Sequence, residues 1–130
     1  MGTAVEKAIC VKRIAEEKAA GYNMKGYTLD GMDFFACYSG FKEIYKEVLQ
    51  LGRPVLVEVV THRFKGHSIS DPALYRTKES LKEAMERDPI LLLEEIMIEA
   101  GIITEEQLKS LIKETREEIL AAVEFAEKSP

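Results

Sequence analysis

The chain has 130 residues, of which 46% are apolar and 32% charged, and a formal net charge of -5. That suits one soluble domain of ordinary size and excludes a disordered or fibrous polymer. Residues 1–77 hold eleven Lys and Arg against nine acids and residues 78–130 seven against fourteen, so neither part offers the basic field that sequence-independent nucleic-acid binding needs.

From the amino terminus, Thr3 is placed to cap a helix whose Val5, Ala8, Ile9, Ala15 and Ala19 fall at helical spacing, with an end near Gly21. Tyr27-Thr28-Leu29 reads as a short strand closed by the Asp30-Gly31 turn. Asp33 caps the next predicted helix, where Phe34, Cys37, Tyr38, Phe41, Ile44, Tyr45 and Val48 step down one face, expected to be core. Gly52 and Pro54 separate it from the strand Val55 to Val60, whose nearly continuous apolar run suits a parallel strand covered on both faces. Three helices are predicted beyond Arg76: Lys78 to Glu86 capped by Thr77, Pro89 to Ala100 capped by Asp88, and one capped by Thr104 running to about Glu127. In the last, Leu108, Leu111, Ile112, Thr115, Ile119, Ala122 and Ala126 share a face.

The fold class is therefore α/β, a βαβ piece of a parallel sheet followed by a helical carboxyl-terminal region. We read residues 1–130 as a single partial domain, with an α/β part at 1–76 and a helical tail at 77–130. Two strands are too few for a doubly wound layer, so further strands are expected from sequence outside this chain or from a partner. No apolar run reaches the roughly 18 residues of a membrane span, and no signal-peptide core is present, so the expected state is soluble and intracellular. Cys10 and Cys37 lack Cys-x-x-Cys spacing and are read as small hydrophobes, not as a disulfide or zinc site.

The chemistry is concentrated in the loop that leaves the second strand, residues 62–76, since ligands of open α/β sheets bind beyond the carboxyl ends of strands. Arg63 offers a fork of donors matched to phosphate oxygens and Lys65 a mobile point charge. Gly66 would let the backbone approach a ligand, and His67 can serve as acid, base or phosphate donor near neutral pH. Taken alone, these residues better fit an Arg63 paired with Asp71 or Glu58 beside a surface histidine. His62 is read as structural, and Asp71, Tyr75 and Arg76 as residues that fold the loop.

The run Arg63-Phe64-Lys65-Gly66-His67-Ser68-Ile69-Ser70-Asp71-Pro72, ending in Tyr75-Arg76, closely resembles the phosphorylation-loop region of the α subunits of thiamine-diphosphate-dependent pyruvate dehydrogenases. Met1-Gly2-Thr3, Leu29-Asp30-Gly31-Met32-Asp33 and Arg87-Asp88-Pro89-Ile90 resemble further motifs of that family, in its order. The resemblance implies part of the thiamine-diphosphate-binding fold. It also implies decarboxylation of pyruvate with acetyl transfer to lipoamide, a heterotetramer with a β subunit, and a lipoyl domain of dihydrolipoamide acetyltransferase as partner. No nucleic acid or membrane is expected as a partner. Arg63 and His67 would lie by the cofactor diphosphate, with His67 also catalytic in acyl transfer. Ser68 matches the position phosphorylated in eukaryotic members, whose second regulatory serine has no counterpart here.

The family's Gly-Asp-Gly and Asn-Asn motif, which carries its magnesium ligands, is absent and is expected upstream of Met1. No metal ligand is assigned within the chain, which reads as a carboxyl-terminal fragment, inactive by itself. The compartment would be the cytoplasm in a bacterium, or the mitochondrial matrix or plastid in a eukaryote. Branched-chain 2-oxo acid and acetoin dehydrogenase α subunits are the competing enzymes, and a non-catalytic subunit-interaction fragment is the competing non-enzyme.

Overall fold

The computed structural model describes residues 8, 9, 12–68, 70–73 and 75–130. The chain forms two compact units, Met1–Pro89 and Ile90–Pro130.

In the first unit, helix α1 (Ile14–Ala19) and a 3-10 turn (Ala20–Tyr22) lead into strand β1 (Lys25–Asp30). Helix α2 (Phe34–Leu51), strand β2 (Val55–Val60) and helix α3 (Lys78–Met85) follow. β1 and β2 pair in parallel, with Lys25 opposite Val55 and Asp30 opposite Val60. This is the partial α/β layer expected from the sequence. β1 is longer than Tyr27-Thr28-Leu29, because its poor strand formers Lys25 and Gly26 are held by pairing with Val55 and Leu56.

The helix expected from Thr3 onward is not continuous. Thr3 and Val5 lie outside the described residues, and α1 begins only at Ile14, after Arg13 in extended conformation. The Glu17 carboxylate explains the break, for it accepts from the N–H groups of both Lys12 and Arg13 at 3.1 Å and so caps a new helix start.

α1 and α2 meet opposite faces of the ribbon. Ala15 and Ala19 are fully buried, and the backbone of α1 lies so close to β1 that a Cβ on Gly26 would sit 2.2 Å from the Ala15 carbonyl oxygen. On the same face the lone acid of β2, Glu58, accepts from Thr28 Oγ1 at 3.3 Å and from the Ala15 N–H at 3.4 Å. The N-terminal end of α1 thus meets a carboxylate, as its dipole favours. On the other face Leu29 packs against Gly40 of α2, where an added Cβ would lie 2.6 Å from Leu29 Cδ2. Glu47 of α2 accepts from the Tyr27 hydroxyl and pairs with Lys25. The Lys25 contact and then the Tyr27 bond hold the Glu47 carboxyl below its usual range.

α2 is capped as expected, by Asp33 Oδ1 accepting from the Ala36 N–H at 2.9 Å, and ends on Gly52 at φ 60°. Its apolar face departs from the expectation of a core. Ile44 is buried and Cys37 and Val48 are half-buried, but Phe34, Tyr38, Phe41 and Tyr45 are exposed. β2 is likewise not covered on both faces, since Val55 to Glu58 are half-buried and Val59 and Val60 are exposed. The physical reason is width: two strands about 4.8 Å apart make a ribbon narrower than a helix of about 10 Å, so only a stripe of α2 is covered.

The second unit holds helices α4 (Pro89–Glu99) and α5 (Glu105–Lys128). Thr104 and Gln107 form a reciprocal capping box, with Gln107 N–H to Thr104 Oγ1 at 3.2 Å and Thr104 N–H to Gln107 Oε1 at 2.9 Å. Leu108 is half-buried, whereas Leu111, Ile112 and Ile119 on the same face are exposed. No helix among the described residues is long and apolar enough to cross a membrane.

Candidate functional site

The exits of β1 and β2 are laced together by local chemistry. Gly31 N–H donates to the Val60 carbonyl at 2.7 Å, and no Cβ fits there, because it would lie 2.4 Å from Thr61 Cγ2. Asp30 Oδ1 accepts from the Met32 N–H at 2.9 Å, and the buried Met32 sulfur lies 3.4 Å from the N–H of His62. From this knot the loop 61–76 departs, at the carboxyl edge of the parallel pair.

Asp71 organises the loop. Its Oδ2 accepts from the His67 N–H at 2.6 Å and the Tyr75 hydroxyl at 3.1 Å, and its Oδ1 from the Ala73 N–H at 2.8 Å. The backbone bonds from His67 and Ala73 hold the Asp71 carboxyl below its ordinary range. A turn closed by Asp71 N–H to the Ser68 carbonyl at 3.1 Å brings the clamp round, and Ser68 Oγ lies 3.1 Å from Ser70 Oγ. Ala73 adopts φ 51°, a left-handed conformation uncommon outside glycine and asparagine. Arg76 closes the base by donating from Nη1 to the Arg63 carbonyl. Asp71, Tyr75 and Arg76 thus fold the loop, as read from the sequence.

Gly66 also serves the packing of the loop on itself. A Cβ on it would lie 2.9 Å from both the Asp71 carbonyl oxygen and Asp71 Oδ2, so the missing side chain makes room for the loop's own clamp. Arg63 and His67 are exposed, and among the described residues neither side chain forms an ion pair with a carboxylate. Asp71 and Glu58, the partners considered for Arg63, are engaged elsewhere.

His62, read as structural, lines a cleft of about 280 Å³ with Arg76, Ser80, Leu81, Glu83, Ala84 and Arg87. From its edge Arg87 pairs with Asp30, Nη2 to Oδ2 at 2.7 Å. Sequence reasoning misses this pair, although both residues fall within family-like motifs, because 57 positions separate them. The Met32 N–H bond and then Arg87 hold the Asp30 carboxyl below its usual range. No group of three or more His, Cys, Asp or Glu side chains among the described residues could hold a metal ion.

The profile of the family described as dehydrogenase E1 component matches residues 1–130. The chain belongs to the dehydrogenase E1 component family. A Rickettsia conorii protein named pyruvate dehydrogenase E1 component subunit alpha is 38% identical over 130 residues, covering 100% of this chain and 40% of that protein. The Rhizobium meliloti protein of the same name is 34% identical over 131 residues, covering 100% of this chain and 37% of its own. The chloroplastic subunit alpha-3 of Oryza sativa is 37% identical over 118 residues, 88% of this chain and 27% of its own. This E1 chain therefore spans two fifths or less of the length of these relatives, and the loop 61–76 lies within the matched stretch.

Proposed function

We propose that this chain is part of the α subunit of a pyruvate dehydrogenase, acting in the component that decarboxylates pyruvate and passes the acetyl group to lipoamide. The observation that carries the reading is the loop 61–76: its backbone is held by Asp71 and Arg76, while Arg63 and His67 are exposed at the strand exits with no side-chain ion pair among the described residues. Thiamine diphosphate, when bound, supplies the electron sink for loss of CO2. Arg63 would grip a diphosphate oxygen with its guanidinium fork. His67 would hold a donor to the same anion and move a proton at its imidazole during acyl transfer. Magnesium would take its ligands from outside the described residues. Ser68 is a loop hydrogen-bonding residue in this reading, and a phosphate there would set a dianion beside His67 and repel both diphosphate and lipoyl substrate.

The names of the relatives and the Gly66-His67-Ser68-Ile69-Ser70-Asp71-Pro72 run favour pyruvate over branched-chain 2-oxo acids or acetoin. A β subunit would complete the site in a heterotetramer, and a lipoyl domain would collect the product. The bacterial and chloroplastic relatives fit a cytoplasmic or plastid setting.

The test uses a full-length subunit carrying this sequence, assembled with its β subunit. His67→Ala is expected to lower overall pyruvate-to-lipoamide turnover by on the order of 10²-fold, and decarboxylation read with an artificial electron acceptor by less. Arg63→Ala is expected to weaken thiamine diphosphate affinity mainly, with turnover at saturating cofactor largely kept. Unchanged lipoamide acetylation in His67→Ala sinks the assignment, as does equal damage from His62→Ala.

A second reading, a non-catalytic interaction piece, draws on the exposed Phe34, Tyr38, Phe41 and Tyr45 along α2. Binding of the 130-residue chain to an isolated β subunit, with no thiamine diphosphate bound in calorimetry, would favour it.

A further inference from the structure

Two arginines bracket α3, and each reaches back to a different strand exit. Arg76, just ahead of the helix, donates to the Arg63 carbonyl beyond β2. Arg87, just behind it, pairs with Asp30 at the end of β1. Thr77 caps α3 by accepting from the Ser80 N–H at 3.1 Å, so the helix start is fixed directly after the loop. α3 is exposed apart from Leu81 and Ala84, which are half-buried, so little apolar burial is available to orient it, and the two arginine contacts tie its ends to the strand exits. Asp30 is well prepared for its contact. Its other oxygen is already held by the Met32 N–H, so the carboxylate presents itself to Arg87 in a fixed orientation and little side-chain entropy is lost.

We propose that Asp30 and Arg87 are positioning residues whose ion pair holds α3, and through it the loop bearing Arg63 and His67, over the strand exits. The effect on cofactor binding rests on the function proposed above, whereas the effect on the loop does not. The pair touches no reacting group. It sets the ground from which Arg63 acts, because the α3 that Arg87 pins is the segment that carries Arg76 against Arg63. The two arginines of the cleft are engaged, Arg87 by Asp30 and Arg76 by the Arg63 carbonyl, so the pair's work is geometric and not the gathering of an anion.

The experiment takes the full-length subunit assembled with its β subunit and free of cofactor. Trypsin cleavage after Arg63 and Lys65 is timed by mass spectrometry beside the thermal midpoint. Because both partners are half exposed, at 47% and 55%, Asp30→Asn and Arg87→Gln are each expected to speed loop cleavage by about threefold at low salt, with the midpoint unchanged. The double variant should do no more than either single one, the mark of a shared interaction. Arg87→Lys should recover part of the protection, and added salt should bring the wild type toward the variants without moving them. Single effects that multiply in the double variant, no change in Arg87→Gln, or loop cleavage that merely follows a lowered midpoint would each overturn the proposal. Thiamine diphosphate titration adds a separate arm. Affinity that weakens by a similar factor in the variants extends the pair's effect to the cofactor, and a wild type that binds none sinks the functional reading while leaving the cleavage result to decide the pair.

Discussion

The loop 61–76 and helix α5 are both exposed, yet they are built in opposite ways. The loop has almost no regular structure, and its order comes from one carboxylate shared among three donors and one arginine closing the base. Its bonds run inward, which frees Arg63 and His67 to face outward. α5 satisfies its backbone by itself, with a capping box at its start and Glu and Lys pairs along its surface, while its apolar residues beyond Leu108 stay exposed. Polar groups complete the loop locally and leave chemistry on offer. The helix is also complete locally, and leaves hydrophobic area on offer instead.

That contrast can be broken or sharpened by substitution. The largest stability effect is expected where backbone meets backbone: Gly26→Ala forces a Cβ to within 2.2 Å of the Ala15 carbonyl oxygen, and should lower unfolding free energy by about 3 kcal/mol in urea titration. A loss below about 0.5 kcal/mol would mean that α1 can lift off β1 freely. In the second unit, Thr104→Ala removes one half of the capping box and should cost about 1 kcal/mol, read from the helical circular dichroism signal on heating.

The loop should respond to acid through Asp71. The folded Asp71 carboxyl titrates below its ordinary value, so its contribution is whole above that ordinary value and is lost as pH falls through the lower folded one. Amide exchange at His67 and Ala73 should accelerate in that acid window, and Asp71→Asn should flatten the response. Smallest of all are the Glu105–Lys109, Lys113–Glu117 and Glu124–Lys128 pairs of α5. Each is exposed, and Lys113→Gln should change helix stability by only about 0.3 kcal/mol, fading as salt rises. A larger, salt-resistant loss would show that the surface of α5 is not simply solvated.

What is legible in the sequence follows the same local-versus-distant division. Asp33, Thr77 and Thr104 stand out as caps because a cap and its donor lie within three residues. The βαβ order is legible from the apolar periods of α2 and β2. The break ahead of α1 is not, since a glutamate inside a helical period gives no sign that it will turn back to bind Lys12 and Arg13. The apolar period of α2 marks a face but does not say what covers it, so Phe34 and Tyr45, expected in the core, are exposed. In the loop, residue types point to anion chemistry, while the engagement of Gly66 by Asp71 and the pairing of Arg87 with Asp30 emerge only in the folded structure.

The left-handed Ala73 bears on how readily the loop orders from a disordered ensemble. An alanine at φ 51° costs the ordered loop about 1 kcal/mol that glycine would not. It also narrows the set of disordered conformers, which offsets roughly 0.4–1 kcal/mol of that cost. Ala73→Gly should therefore leave the ordered population nearly unchanged while widening the ensemble it is drawn from, and the loop should reach its clamped form after a longer search.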